Sequence, residues 1–282
     1  MGHDRYDVII VGAGPAGSSA AKICADNNLT VALIERGRFP GSKNMFGGTI
    51  YRAATEEIIP NFWEEAPIER NVIREVLYFM ETDSVVEIGF TSFKFAKPPY
   101  NTFTVILCRL KEHPTIKRLV EGGKTVQYMG KIIPNGGYNR IPELYDDGVI
   151  IIGDAGMLVS GRHGTDTAML SGKYAAETVI QAKAKGVFSK KILSSYQTKI
   201  NNTFFLNNMK INRKSNNYYK KHPDADFLIS KTLNKLVYEF FIEGNLSQEE
   251  KFKIMLEKLQ DVQALDKSLN DFYHALMNWR IY

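Results

Sequence analysis

The residues best suited to chemistry sit near the start of the chain, where Gly12, Ala13, Gly14, Pro15, Ala16 and Gly17 form a G-x-G-x-x-G turn. Glycine at those spacings suits a phosphate: Gly12 allows a tight turn, Gly14 lets the backbone approach a pyrophosphate, and Gly17 lets a following helix pack closely on a strand. The helix start adds unpaired N–H groups and partial positive charge. Glu35 lies 23 residues after Gly12, at the end of the next apolar run, and Arg36 follows it as a further candidate cofactor contact. A carboxylate there accepts hydrogen bonds from ribose hydroxyls and repels a 2′-phosphate. A second glycine–acid pair, Gly153–Asp154, stands in "VIIIGDAG", and Gly164 and Thr165 open the helical stretch after it.

These residues need a scaffold, and the pattern around them supplies one. Tyr6–Val11 is a short apolar run without alternation, Ser18–Asn27 carries helix formers, and Thr30–Glu35 is rich in Val, Leu and Ile. Strand, glycine turn, helix and strand make a βαβ unit with a buried parallel sheet. Val149–Gly153 predicts another fully buried strand, and Gly164–Ala184 a helix rich in Ala, Met and Gly. Val72–Met80 and Val85–Phe90, separated by "ETDS", predict a hairpin. From Ser189 to Tyr282 the pattern is helical. The Gly153–Asp154 element favours FAD over a nicotinamide cofactor, because a later strand end can give a carboxylate to the ribityl–phosphate stretch. A helix starting at Gly164 would favour negative charge on the reduced ring. The flavin then does the redox chemistry, and no acid–base side chain is assigned.

Four ordered stretches carry a resemblance: "GSKNMFGGTIY" (Gly41–Tyr51), "LKEHPTIKRLVEGGKTVQY" (Leu110–Tyr128), "IPNGGYNRIPELYDDGVIIIGDAG" (Ile133–Gly156) and "GTDTAMLSGKYAAETV" (Gly164–Val179). Over roughly the first two thirds of its length the chain resembles FixC and the electron-transfer flavoprotein–quinone oxidoreductases, with geranylgeranyl reductases as more distant relatives. The resemblance implies an α/β fold: a Rossmann-like, three-layer FAD-binding domain, a reduced β insertion and a helical C-terminal region. The expected boundaries are 1–70 and 136–186 for the FAD-binding domain, 71–135 for the remnant of the substrate domain and 187–282 for the helical region. It implies that Lys43, Asn44, Gly47 and Gly48 lie beside the flavin. Electrons would pass from reduced electron-transfer flavoprotein through FAD toward quinone, with a separate ferredoxin-like protein as a further partner. The chain departs from that family at Thr104–Ile116, where a strand-like half abuts a helix-like half without punctuation. The resemblance implies that a large internal segment is missing near residues 107–110, one that in the family supplies a strand of the FAD domain's sheet and much of the isoalloxazine pocket. Two other readings stay open: a non-catalytic remnant acting as an interaction module, and a prenyl-lipid reductase.

Composition narrows the classes. With 44% hydrophobic and 24% charged residues the chain has an ordinary globular balance. Two cysteines, Cys24 and Cys108, cannot make a four-cysteine cluster and suggest small buried hydrophobes. Five scattered histidines show no metal-ligand spacing, and no metal is expected. The start MGHDRYDV lacks a basic region followed by a long apolar one, and no apolar run nears the ~18 to 20 residues that span a bilayer. A cytoplasmic chain, at most at the inner face of the membrane, is expected. Between Lys183 and Lys235 twelve Lys/Arg face two acids, a basic segment suited to peripheral membrane contact or an acidic protein rather than nucleic acid. Lys190, Lys191, Lys199, Lys210, Arg213, Lys214, Lys220 and Lys221 interleave there with Phe204, Phe205, Tyr218 and Tyr219. A solvated helical face is the plainer reading of the same residues.

Overall fold

The computed structural model describes residues 5–42, 52–67, 111–126 except 113, 137–159, 163–222 and 246–278, with single positions at 134, 225 and 236. The runs at 72–90, the seam at 107–110 and Cys108 lie outside the described residues. The chain divides into two compact units, one of residues 1–74, 129–214 and 281–282, the other of residues 75–128 and 215–280.

The first unit begins with β1 (Val8–Val11), α1 (Pro15–Asp26) and β2 (Val31–Ile34). The strands pair in parallel from Val8 opposite Val31 to Val11 opposite Ile34, as the βαβ pattern predicts. Proline at the first position of α1 fits because its missing N–H has no partner to lose there. Ile10, Ala20, Cys24 and Ala176 form a small core between strand and helices. Burial pushes the Cys24 thiol up to about 11. The opposite face of the sheet is different: Ile9 is 63% and Val11 82% exposed.

After α2 (Arg52–Glu56) come β3 (Tyr145–Asp146), β4 (Val149–Ile150), α4 (Thr165–Lys185), α5 (Lys190–Asn201) and most of α6 (Phe204–Lys221); α3 (Pro114–Val120) belongs to the second unit. The expected fully buried strand at Val149–Gly153 is corrected here. β4 has two residues, pairs antiparallel with β3, and leaves Val149 53% exposed. Its partner is the adjacent hairpin strand rather than the β1–β2 sheet, with Gly148 turning the corner at φ +69°. The hairpin is tied to α5, because the Asp147 carboxylate accepts from the Lys190 N–H at 2.5 Å. A second core joins Leu144, Leu158, Tyr196, Ile200 and Phe205.

In the second unit α7 (Gln248–Val262) starts with a full capping box from Ser247 and Glu250, and α8 (Leu265–Asn278) follows. The buried Asp271 carboxylate accepts from Tyr218 Oη at 2.6 Å, Gln263 Nε2 at 2.8 Å and Lys267 Nζ at 3.0 Å. Among the described residues no helix is long and apolar enough to cross a membrane.

Candidate functional site

The glycine turn is built as its residue types require. Gly12 has φ +99°, a backbone state that disfavours any side chain, and its N–H donates to the Ile34 carbonyl at 2.7 Å, fastening the ends of β1 and β2. A Cβ on Gly17 would lie 1.9 Å from the Gly12 carbonyl oxygen, so helix and turn touch through backbone. Gly14 caps α1 with no side-chain hydrogen bond. A Cβ on Gly12 would meet nothing within 4 Å, so the space before the turn is open.

Glu35 holds this turn in place. Its Oε2 accepts from the Ala13 N–H at 2.9 Å, and its Oε1 accepts from Gly37 N–H. The carboxylate therefore fixes the turn against the end of β2 and puts a negative charge beside it. Arg36 is exposed. Lys43, Asn44, Gly47 and Gly48 lie outside the described residues.

Gly153 and Asp154 arrive at the same place from the far end of the sequence. Gly153 has φ +59°, donates its N–H to Ser171 Oγ at 2.9 Å, and sits so close to α1 that a Cβ there would be 2.9 Å from Ala16 Cβ. The same hypothetical Cβ would be 3.8 Å from Ala168 Cβ, on the second turn of α4. Gly172 closes the junction, since a Cβ there would lie 2.1 Å from the Ala16 carbonyl oxygen. Glu35 thus touches the turn at Ala13 and Gly153 touches it at Ala16, with half-buried Asp154 next to it. Gly164 and Thr165 begin α4 one turn before Ala168, and a Cβ on Gly164 would meet open space.

Sequence reasoning missed Ser171 and Gly172. The available signal was small residues on one face of α4, Ala168, Ser171, Gly172, Ala175 and Ala176, at the i, i+3, i+4, i+7, i+8 spacing of a helix packed closely on another. It also left His163 unassigned. His163 Nδ1 lies 2.6 Å from Asp166 Oδ2, at the mouth of α4.

The basic segment is less free than its charge count suggests. Lys183 pairs with Asp7, Lys190 with Glu143 and Asp146, and Lys199 with Glu177. Lys210 and Arg213 lie over the Tyr138 ring at 5.7 and 5.4 Å. Phe205 is fully buried, Phe204 is partly exposed, and Tyr218 is half-buried. The side chains of Tyr219 and Lys220 lie outside the described residues.

Comparison with known proteins agrees with the motifs. Residues 3–87 match the Thi4 family. A FixC protein of Azotobacter vinelandii is 24% identical over 390 residues, covering 83% of this chain and 90% of that protein. The FixC protein of Bradyrhizobium diazoefficiens is 22% identical over 442 residues, covering 99% of this chain and all of its own. A probable electron transfer flavoprotein–quinone oxidoreductase of Escherichia coli is 24% identical over 369 residues, covering 76% of this chain and 85% of its own. An alignment of 442 residues against a chain of 282 leaves at least about 160 aligned positions that face no residue of this chain. The relatives are thus matched along most of the chain, and they are longer than it by positions that it lacks.

Proposed function

We infer that this chain is a FAD-dependent oxidoreductase. The single observation that carries the reading is the junction at the glycine turn, where Glu35 at Ala13 and Gly153 at Ala16 meet a helix start without a side-chain cap. Those residues fit the ADP half of FAD. The start of α1 would take the pyrophosphate, Glu35 the ribose hydroxyls, and Asp154 the ribityl–phosphate stretch. When bound, the flavin supplies two-electron redox chemistry. The protein holds the cofactor's phosphates and orients the rest; Gly164 and Thr165 would present the start of α4 to the ring, with Lys43, Asn44, Gly47 and Gly48 completing its surroundings.

The finer reading is electron transfer from a reduced electron-transfer flavoprotein toward quinone, at a membrane surface reached peripherally through the C-terminal basic helices. Its support is the naming of the relatives together with the basic segment. Residues 1–70 and 136–186 form the FAD-binding part in this reading. The test is the visible absorption spectrum of the purified chain, before and after FAD is added. A flavin spectrum that survives gel filtration supports the reading, whereas a colourless protein that takes up no FAD defeats it.

A second reading draws on the missing block of about 160 aligned positions. A chain without it could serve as an interaction module. Capture of an electron-transfer flavoprotein by flavin-free protein would favour that reading over catalysis.

A further inference from the structure

The first turn of α4 carries an acid–imidazole pair that the phosphate cradle does not use. His163 Nδ1 is 2.6 Å from Asp166 Oδ2, and the Asp166 side chain is 4% exposed against 30% for His163. The other carboxylate oxygen, Oδ1, is buried with no hydrogen-bond partner among the described residues. A buried carboxylate so sparsely satisfied is costly to keep, and its one described partner is the imidazole. The backbone of His163 is fixed as well: its carbonyl accepts from Thr167 Oγ1 at 2.7 Å, and the same hydroxyl reaches the Gly164 carbonyl at 3.0 Å. From α6, the Phe204 ring stands edge-to-face on the imidazole at 5.2 Å and brings no charge. Beside the pair lies the open space at Gly164.

We propose that His163 is the proton donor to the electron acceptor, with Asp166 as its positioning residue. The assignment rests on the flavoprotein reading above. A carboxylate at Nδ1 fixes the tautomer that carries hydrogen on Nδ1 and makes Nε2 the exchanging atom. Reduction of a quinone to a quinol takes up two electrons and two protons. A reduced flavin that yields two electrons and one proton leaves one proton to be found. The His163 imidazolium gives it from Nε2 to a quinone oxygen and is recharged from solvent, to which the ring is partly open. The partly exposed Phe204 ring offers a flat apolar wall to the same planar acceptor. The location is consistent: Ala168, which lies against Gly153, is one helical turn from Gly164 and donates its N–H to the Gly164 carbonyl at 3.0 Å.

Two measurements on the full chain test this. NMR of the imidazole nitrogens, assigned with His163→Gln, should show hydrogen on Nδ1 in the neutral form; in Asp166→Asn the tautomers should mix. This measurement needs no cofactor. Separately, chemically reduced FAD-loaded protein is mixed with a soluble short-chain quinone across pH. His163→Gln should slow reoxidation about 100-fold and flatten its dependence on pH, while Asp166→Asn should slow it by less. An unchanged tautomer in Asp166→Asn overturns the pairing. FAD uptake with wild-type kinetics in His163→Gln overturns the proton role alone, whereas failure to take up FAD overturns the flavoprotein reading beneath it.

Discussion

The two faces of the β1–β2 sheet are made of similar residues and have opposite surroundings. On one, Ile10 packs with Ala20 and Cys24 of α1. On the other, Ile9, Val11 and Ile34 are exposed. Parallel strands are apolar on both faces because they are normally covered on both. The covered face is the one that shapes the glycine turn, and the bare face shows where a further layer would lie. The three-layer arrangement expected from the sequence therefore has two of its layers here among the described residues.

The largest effect is expected where backbone meets backbone. Gly172→Val would drive a side chain into the Ala16 carbonyl, 2.1 Å from its Cβ, and should destabilise the first unit by about 3 kcal/mol or more in a denaturant titration. The comparison of faces comes next. Ile10→Ala should cost about 2 to 4 kcal/mol, whereas Val11→Ala should stay within about 0.5 kcal/mol. Equal losses at the two sites would show that the second face is covered in solution, and the contrast would break.

Glu35→Gln tests the clamp on the turn. It exchanges one of two acceptor oxygens for a donor that faces an N–H group, and should cost about 1 to 2 kcal/mol while weakening FAD binding about tenfold. Flavin fluorescence titration would read it. The smallest effect concerns Asp7, whose pKa is held at about 2 by its hydrogen bond to Lys183 and then by bonds from Thr30. A carboxylate depressed in the folded state contributes stability that is complete above its unfolded value of roughly 4 and is lost as pH falls through that value toward 2. Between pH 5 and 2 the melting temperature of Asp7→Asn should therefore fall slightly less steeply than that of the wild type.

The sequence made much of this legible, and the reasons are local. The turn at Gly12–Gly17 announces itself because each glycine answers a steric demand within a few residues. Glu35 is readable as a ribose ligand, but its hold on Ala13 is not, because that bond is a matter of distance across the strand ends. Val149–Ile150 misleads because an apolar run does not name its partner strand, and here the partner is the neighbouring hairpin strand. Charge counting within the basic segment has a related limit, since it cannot see Asp7 coming to Lys183 from the other end of the unit. The small residues of α4 were visible as composition, and only the fold says that they let Gly153 and Ala16 meet.

The central claim is that the glycine turn, Glu35 and the Gly153–Asp154 turn make one cradle for an adenine nucleotide diphosphate. Isothermal titration of the intact chain with ADP and with FAD addresses it directly, because ADP needs none of the flavin's surroundings. We predict one site per chain for each, FAD binding the more tightly, and both lost in Gly17→Val. A chain that is folded by circular dichroism and binds neither ligand would contradict the account.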